Sequence, residues 1–316
     1  MKKNHYTKNE KKSKPILFFG NNKNKLIVAD NIAKFYAIDI KTGDLLWSRN
    51  NSSPFNSQVK VYKESFFVVD FQNILRCFSL KDGSELWNYK TEQSFIKSQK
   101  KLSLIIVNNK VLFSNSIGDI TAVDANNGNL IWQTPTQSSA IYEDSFSLKT
   151  SDLIADKNSV LFSNNRNEFF SLDVKNGAIR WKQKINSHLR STLIENTIIS
   201  ITNEGYLVLI DNRTGNIIRI NNIFKGFKPK IKFVRRGLGN LKPKPSKVKR
   251  DINPVGFIVG SKNIYLTTDH GRLLVIDIKN GKTISILKID NEKISRPFVL
   301  NQSLFIIKDN SIIKLD

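Results

Sequence analysis

A phrase of eleven residues occurs six times in this chain, and it constrains the fold more than any other feature. It reads AIDIKTGDLLW in its first copy and AVDANNGNLIW in its third. The first four copies end in tryptophan, and these are all four tryptophans of the chain. A rare, large residue confined to one repeat position indicates one structural unit copied along the sequence. The copies are Ala37–Trp47, Cys77–Trp87, Ala122–Trp132, Ser171–Trp181, Leu209–Arg219 and Val275–Ser285.

Each copy has the pattern of a β-hairpin. Two short apolar runs flank a turn in which Thr, Asp or Asn precedes Gly, and glycine readily adopts the positive φ of a tight turn. Four residues before the glycine stands an aspartate, or Ser79 in the second copy, which we expect to accept hydrogen bonds from the turn. We expect the tryptophans to fill the gaps between neighbouring units. The predicted structural positions are Asp39, Gly43, Trp47, Gly83, Trp87, Asp124, Gly128, Trp132, Asp173, Gly177, Trp181, Asp211, Gly215, Asp277 and Gly281.

Two further strand-like runs precede each hairpin, so one unit consists of four short antiparallel strands. Successive glycines lie 40, 45, 49, 38 and 66 residues apart, and four-stranded units of this length are typical of β-propeller blades. The predicted fold class is all-β, a propeller with about seven blades in this sequence. The last unit is partial, with strands at Arg296–Leu300, Ser303–Lys308 and Ser311–Leu315. We predict a polar tail over residues 1–14 and a single propeller domain over residues 15–316.

The chain is strongly basic, with a formal net charge of +23. Eleven Lys and Arg residues, three prolines and no acidic residue lie between Lys225 and Arg250. This composition predicts an exposed basic insertion at residues 225–254, which explains the spacing of 66 residues. Two interpretations stay open: the insertion contacts phosphate groups of an anionic membrane or of nucleic acid, or it is a solvated loop without a role of its own.

Nothing in the sequence indicates catalysis. His5, His188 and His270 share no metal-ligand spacing, and no nucleophile motif or phosphate-binding glycine loop is present. Cys77, the single cysteine, takes a slot that is Ala or Ser in other copies, and we predict a small buried side chain there. We therefore predict no catalytic, cofactor-binding or metal-binding residue, no cofactor and no enzyme activity.

The repeated phrase resembles the quinoprotein-type, or PQQ-like, propeller repeat A-x-D-x-x-T-G-x-x-x-W. Two branches of that superfamily are relevant, the dehydrogenases that use pyrroloquinoline quinone and the BamB family of outer-membrane protein assembly factors. The dehydrogenases are longer, and many carry a vicinal cysteine pair that a chain with one cysteine lacks. The BamB family resembles the chain from Leu26 to Asp316, including the long loop at Thr134–Ile154 and the partial final repeat.

This resemblance implies a non-enzymatic scaffold that assists the insertion of β-barrel proteins into the outer membrane. Members of the family dock on the periplasmic domains of the barrel insertase through two adjacent interblade loops. By position these loops correspond to Ser94–Lys100 and Tyr142–Asp152. Nascent barrel proteins are a second expected partner, and an anionic membrane surface is a third, through Lys225–Arg250.

The expected partner-binding residues belong to those two loops. A modest docking interface has an apolar centre and a charged rim. We expect two apolar anchors, one basic neighbour, and two acids that pair with basic residues of the partner. They are Phe95, Ile96, Lys97, Asp144 and Asp152.

The resemblance implies the periplasmic face of the cell envelope, in association with the outer membrane. No signal peptide is visible in the first twenty residues, which alone indicates the cytoplasm. Because the family ring has eight blades, the resemblance also implies one more blade and an export signal upstream of Met1. Two alternatives stay open, a PQQ-dependent dehydrogenase or cofactor-binding propeller, and a cytoplasmic propeller that binds nucleic acid through Lys225–Arg250. The scaffold interpretation expects no nucleic acid partner.

Overall fold

The computed structural model describes residues 6–92, 101–136, 148–225, 252–309 and 311–315. The chain divides into two compact units, Met1–Ile185 and Asn186–Asp316. In the described part of both units the sheets follow the order of the chain, and every neighbouring strand pair is antiparallel. These are the blades of a seven-bladed β-propeller, and the predicted fold class is confirmed.

The first unit contains the helix α1 (Lys8–Lys12) and four sheets of four strands, which we call blades 1 to 4. The strands of blades 1 and 2 are β1 (Leu17–Asn21), β2 (Lys25–Asp30), β3 (Lys34–Asp39), β4 (Leu45–Asn50), β5 (Lys60–Tyr62), β6 (Ser65–Val69), β7 (Ile74–Ser79) and β8 (Glu85–Lys90). Those of blades 3 and 4 are β9 (Leu104–Val107), β10 (Lys110–Ser114), β11 (Ile120–Asp124), β12 (Leu130–Thr134), β13 (Ile154–Ala155), β14 (Ser159–Asn164), β15 (Glu168–Asp173) and β16 (Ile179–Gln183).

The second unit contains two four-stranded sheets, blades 5 and 6, and a three-stranded sheet, blade 7. Blades 5 and 6 are formed by β17 (Thr192–Ile194), β18 (Thr197–Ile201), β19 (Tyr206–Asp211), β20 (Ile217–Asn222), β21 (Pro254–Val259), β22 (Asn263–Thr268), β23 (Arg272–Asp277) and β24 (Thr283–Lys288). Blade 7 is formed by β25 (Phe298–Leu300), β26 (Ser303–Lys308) and β27 (Ser311–Leu315).

The repeated phrase forms the hairpin between the third and fourth strands of a blade. In blade 1 the Gly43 N–H donates to the Asp39 carbonyl at 2.8 Å, and the Asp39 carboxylate accepts from the N–H groups of Lys41 (2.8 Å) and Thr42 (2.9 Å). The Thr42 and Lys41 N–H groups lower the pKa of Asp39. A β-bulge just before this position recurs in all six full blades. The corresponding side chains that accept turn N–H bonds are Ser79, Asp124, Asp173, Asp211 and Asp277.

The tryptophans of blades 1 to 3 lie against the turn glycine of the following blade. A Cβ built on those glycines would lie within 3 Å of indole carbon atoms; the pairs are Trp47–Gly83, Trp87–Gly128 and Trp132–Gly177. Trp132 Nε1 also donates to the Val174 carbonyl of the next blade at 3.0 Å. Burying each indole contributes on the order of 2–3 kcal/mol by area. In blade 4, Trp181 stacks on Phe169 with ring centroids 5.8 Å apart.

The apolar cores lie between successive blades within each unit. Phe35 of blade 1 packs against Phe66 and Phe78 of blade 2, in a cluster that Trp47 borders. Equivalent clusters join blades 2 and 3, blades 3 and 4, and blades 5 and 6. Cys77 belongs to one of them, and burial raises the pKa of its thiol to about 12. This is the small buried side chain that the sequence predicts at that slot.

The amino-terminal segment is more ordered than a polar tail over the residues that the structure describes. Thr7 caps α1, and Glu10 completes a capping box by accepting from the Thr7 N–H. The Tyr6 hydroxyl donates to the buried Asp30 carboxylate at 2.6 Å, and Glu10 pairs with Lys34 at 3.0 Å. Composition alone hides this docking because it depends on a T-x-x-E motif in a lysine-rich stretch. In the described ranges no helix has the length and apolar character needed to cross a membrane.

Candidate docking surface

Most of the predicted partner-binding residues lie outside the described residues. These are Phe95, Ile96, Lys97 and Asp144, which fall in residues 93–100 and 137–147. Asp152 is described: it is half-buried and lies two residues before β13. Lys225 is described and exposed, whereas residues 226–251 of the predicted basic insertion lie outside. The docking role of these residues stays a prediction, and the described geometry concerns the ends of the two connections.

Both predicted loops flank blade 3. The first connection joins β8 to β9 and the second joins β12 to β13. Because the four strands of blade 3 alternate in direction, the turn between β10 and β11 lies at the same end of the sheet as both connections. This turn, residues 115–119, lies between the two connections and contacts both of them. We call it the blade 3 turn.

Asn73 holds the start of the first connection. Its carbonyl accepts from the Thr91 N–H at 3.2 Å, and its side-chain Nδ2 donates to the Glu92 carbonyl at 3.1 Å. The same Nδ2 donates to Ser116 Oγ in the blade 3 turn at 2.8 Å, and the Ser116 N–H donates back to Asn73 Oδ1 at 3.2 Å. Asn73 is only 3% exposed and has a φ of 58°, a left-handed conformation that asparagine tolerates well.

The blade 3 turn also holds the start of the second connection. Thr136 Oγ1 donates to the Gly118 carbonyl at 2.8 Å, and both groups are buried. Gln133 Nε2 lies 3.5 Å from a carboxylate oxygen of Asp119. The start of each connection is therefore hydrogen-bonded, directly or through Asn73, to one five-residue turn.

The far ends of the two connections contact each other. Ser103, at the end of the first connection, accepts a hydrogen bond from the Leu153 N–H at 2.8 Å. Ser103 is itself fixed by the bond from its N–H to Ser114 Oγ, at 3.2 Å. Leu153 directly follows Asp152, so this bond positions the backbone next to a predicted partner-binding residue.

Sequence reasoning missed Asn73 and Ser103. A serine does recur shortly before or near the first strand in five blades, and aligning the repeats beyond the tryptophan phrase could have found it. The positions are Ser57, Ser103, Ser151, Ser187 and Ser295. In blades 2 and 4 this serine accepts from a backbone N–H of its own blade, Val69 or Ser163, rather than from the next blade.

Asp119 has an unusual environment for a carboxylate at this end of blade 3. In blade 4 the same repeat position is Glu168, which pairs with Lys182 at 2.8 Å. The residue that corresponds to Lys182 in blade 3 is the neutral Gln133. Burial raises the pKa of Asp119, and the negative charge of Glu92 adds to the effect. Ionised Asp119 is therefore a destabilising feature, which burial without a cation explains.

Asp119→Asn should stabilise the protein at neutral pH by roughly 1 kcal/mol, the usual size of a single-site effect. A carboxyl with a raised folded pKa favours folding when protonated, and this contribution disappears as the pH rises through the folded pKa. The advantage of the variant should therefore shrink as the pH falls towards 3.8, the ordinary value for Asp. Urea unfolding between pH 4 and 8 measures this.

The matched control is Glu168→Gln, because its carboxylate has a lysine partner. This variant should lose a few tenths of a kcal/mol at neutral pH, as for other partly exposed ion pairs. If Asp119→Asn tracks the wild type at every pH, the charge assigned to Asp119 is wrong.

The described residues offer little for metal chemistry. Within the described ranges, no group of three His, Cys, Asp or Glu side chains could hold a metal ion. His270 contacts its neighbour Asp269 at 2.6 Å in a turn of blade 6, and Asn253 donates to the same carboxylate. The hydrogen-bonded ends of the two connections are therefore the best-defined candidate site in the described chain.

Comparison with known proteins identifies relatives of this arrangement. A family model described as outer membrane protein assembly factor BamB matches residues 7–221. The crystal structure of BamB from Moraxella catarrhalis is 15% identical, with a TM-score of 0.72, 95% of this chain covered and 84% of that chain. Comparison with curated proteins yields no match.

Two further solved structures share the fold. The computationally designed Ika8 protein is 14% identical, with a TM-score of 0.57 and 95% of each chain covered. Quinohemoprotein alcohol dehydrogenase from Comamonas testosteroni is 14% identical, with a TM-score of 0.63, 92% of this chain covered and 63% of that chain. At these identities the likeness concerns the fold alone.

Proposed function

The chain belongs to the family of the outer membrane protein assembly factor BamB, and on that premise we propose that it is a non-enzymatic scaffold for the assembly of β-barrel proteins. The observation that carries this proposal is the family match, which extends across both connections of blade 3. In this proposal the chain works at the periplasmic face of the outer membrane. It binds the periplasmic domains of the barrel insertase, and it contacts nascent barrel proteins as well.

The two connections of blade 3 form the proposed docking surface. Phe95 and Ile96 supply its apolar centre, Lys97 lies beside them, and Asp144 and Asp152 pair with basic side chains of the insertase. Apolar anchors in the centre of an interface usually carry most of its binding energy. The basic segment Lys225–Arg250 is proposed as a second contact, with an anionic membrane surface, because clustered basic residues are attracted to such surfaces.

Calorimetric titration with the purified periplasmic domains of the insertase from the same genome tests the proposal. The wild type should bind, and Ile96→Glu should weaken binding at least tenfold, because it places a charge at the apolar centre. Leu86→Glu is the matched control, since Leu86 is 54% exposed on β8 and outside both connections. Absence of binding by a folded wild type, or equal losses in the two variants, would overturn the proposal.

The quinoprotein alternative has one observation in its favour, the fold shared with an alcohol dehydrogenase. Titration with pyrroloquinoline quinone and Ca²⁺ separates the two functions, because a scaffold should leave the absorption spectrum of the quinone unchanged. Saturable quinone binding would favour the dehydrogenase alternative over the scaffold.

A further inference from the structure

We propose that Asn73 and Ser103 are positioning residues that hold the two connections of blade 3 in one arrangement, so that the partner meets a single preformed surface. The inference rests on the proposed docking function and identifies residues that no similarity assigns. Neither side chain needs to touch the partner. Each acts through the backbone of a connection that does.

The first step concerns Asn73, whose contacts converge on one buried side chain. Its backbone and amide groups bind both residues that begin the first connection, Thr91 and Glu92, and its side chain also exchanges two hydrogen bonds with Ser116. A buried polar group that loses its partners costs about 1–3 kcal/mol. The first connection therefore cannot shift away from the blade 3 turn without breaking several buried hydrogen bonds.

The second step extends this coupling to the second connection. The blade 3 turn that receives Asn73 also receives the Thr136 hydroxyl at Gly118, two residues from Ser116. At the other ends of the connections, the Leu153 N–H bonds directly to Ser103 Oγ. Two separate hydrogen-bonded routes, one at the start and one at the end, thus join the first connection to the second.

The third step is that this arrangement is particular to blade 3. The serine that corresponds to Ser103 accepts from Val69 within blade 2 and from Ser163 within blade 4. The residue that corresponds to Asn73 in blade 3 itself is Gly118, which has no side chain for such bonds. The repeat fold therefore does not require these links, and they lie where the resemblance places the docking loops.

A surface held in its bound arrangement loses less conformational freedom on binding, which improves affinity. We expect Asn73→Gly and Ser103→Ala each to weaken binding of the insertase domains about fivefold to tenfold, at an unchanged circular dichroism spectrum. Glycine tolerates the left-handed φ of position 73, so the first change removes the side chain without straining the turn. Ser57→Ala is the matched control, because its hydrogen bond stays within blade 2 and its affinity should equal that of the wild type.

Amide hydrogen exchange tests the coupling without any partner. Asn73→Gly should accelerate exchange at Thr91, which it contacts, and also at Thr136, which it reaches only through the blade 3 turn. Ser57→Ala should change neither amide. Acceleration confined to Thr91 would overturn the coupling, even if the insertase binds.

A double-mutant cycle separates positioning from general stability. Ser103→Ala and Asp152→Asn should weaken binding non-additively, since Ser103 acts through the backbone beside Asp152. Ser57→Ala and Asp152→Asn should be additive. Wild-type binding with unchanged affinity in Asn73→Gly and Ser103→Ala would overturn the inference and leave the proposed function standing. A folded wild type that does not bind would overturn the function, while the exchange experiment still decides whether the connections are coupled.

Discussion

Replacing Gly128 by alanine is expected to lower the free energy of unfolding by about 3 kcal/mol, one of the largest single-site effects in this chain. Two physical causes add at this position. The residue has a φ of +74°, where an L-amino acid costs about 1–2 kcal/mol. In addition, the new Cβ would lie 2.5 Å from Trp87 Cε3, so the indole must move within a packed core.

Gly43→Ala is the matched control for this prediction. Gly43 has nearly the same φ, +72°, in the same hairpin of blade 1, but a Cβ there meets no atom within 4 Å. Its replacement should cost about 1 kcal/mol, from the backbone conformation alone. Urea denaturation of both variants isolates the indole contact, because the turn geometry is otherwise repeated.

A second background checks the cause. In Trp87→Leu the large ring is absent, so Gly128→Ala should cost no more than Gly43→Ala does in the wild type. If the two glycine variants lose equal stability in the wild-type background, the glycine is required only for its backbone conformation. The contact between one blade's tryptophan and the next blade's turn would then carry no energy.

The contrast between these glycines shows how far the sequence alone can lead. The repeated phrase predicts the hairpin, its turn aspartate and the blade, because those contacts join residues within eleven positions of each other. It does not reveal that Gly128 carries a second constraint, since Trp87 belongs to a different copy. Contacts across copies are set by packing between sheets, which local periodicity does not encode.

Arg219 illustrates the same limit. The fifth copy has arginine where four others have tryptophan, and the sequence indicates only a lost aromatic residue. In the structure Arg219 Nη2 donates to the Ile278 carbonyl of the next blade at 2.6 Å. This acceptor directly follows the turn aspartate, as does Val174, which accepts from Trp132. A planar group with an N–H donor can therefore replace the indole at this contact.

The candidate docking surface was still less predictable from the sequence. Asn73 and Ser116 are 43 residues apart, and Ser103 and Leu153 are 50 apart. Asparagine and serine are common in loops, so neither residue type attracts attention on its own. Only the antiparallel order of blade 3 brings the turn and both connections to one end of a sheet.

The second large effect is expected for Arg76→Met, which should lower the free energy of unfolding by about 3 kcal/mol. Arg76 Nε donates to the fully buried Asp70 carboxylate at 2.9 Å, and Nη1 donates to Glu85 at 2.7 Å. Methionine keeps most of the side-chain volume but leaves a buried carboxylate without its cation. Thermal or urea unfolding at neutral pH measures the loss.

The control is Arg49→Met, which breaks an exposed pair with Asp82 at 3.7 Å. Water screens such pairs, so this change should cost between 0 and about 1 kcal/mol. Equal losses in the two arginine variants would show that the burial of the Arg76 pair has no energetic consequence.

The cost of Arg76→Met should depend on the charge of Asp70 rather than on lost packing. Asp70→Asn removes that charge while keeping an oxygen for the N–H groups of Gln72 and Ile74, which Asp70 Oδ1 accepts at 2.8 Å and 3.1 Å. In the Asp70→Asn background, Arg76→Met should therefore cost less than half of its effect in the wild type. Blade 1 supports this expectation, because the corresponding Asp30 is equally buried and has a neutral donor, the Tyr6 hydroxyl, instead of an arginine. An undiminished cost in the double variant would assign the effect to packing.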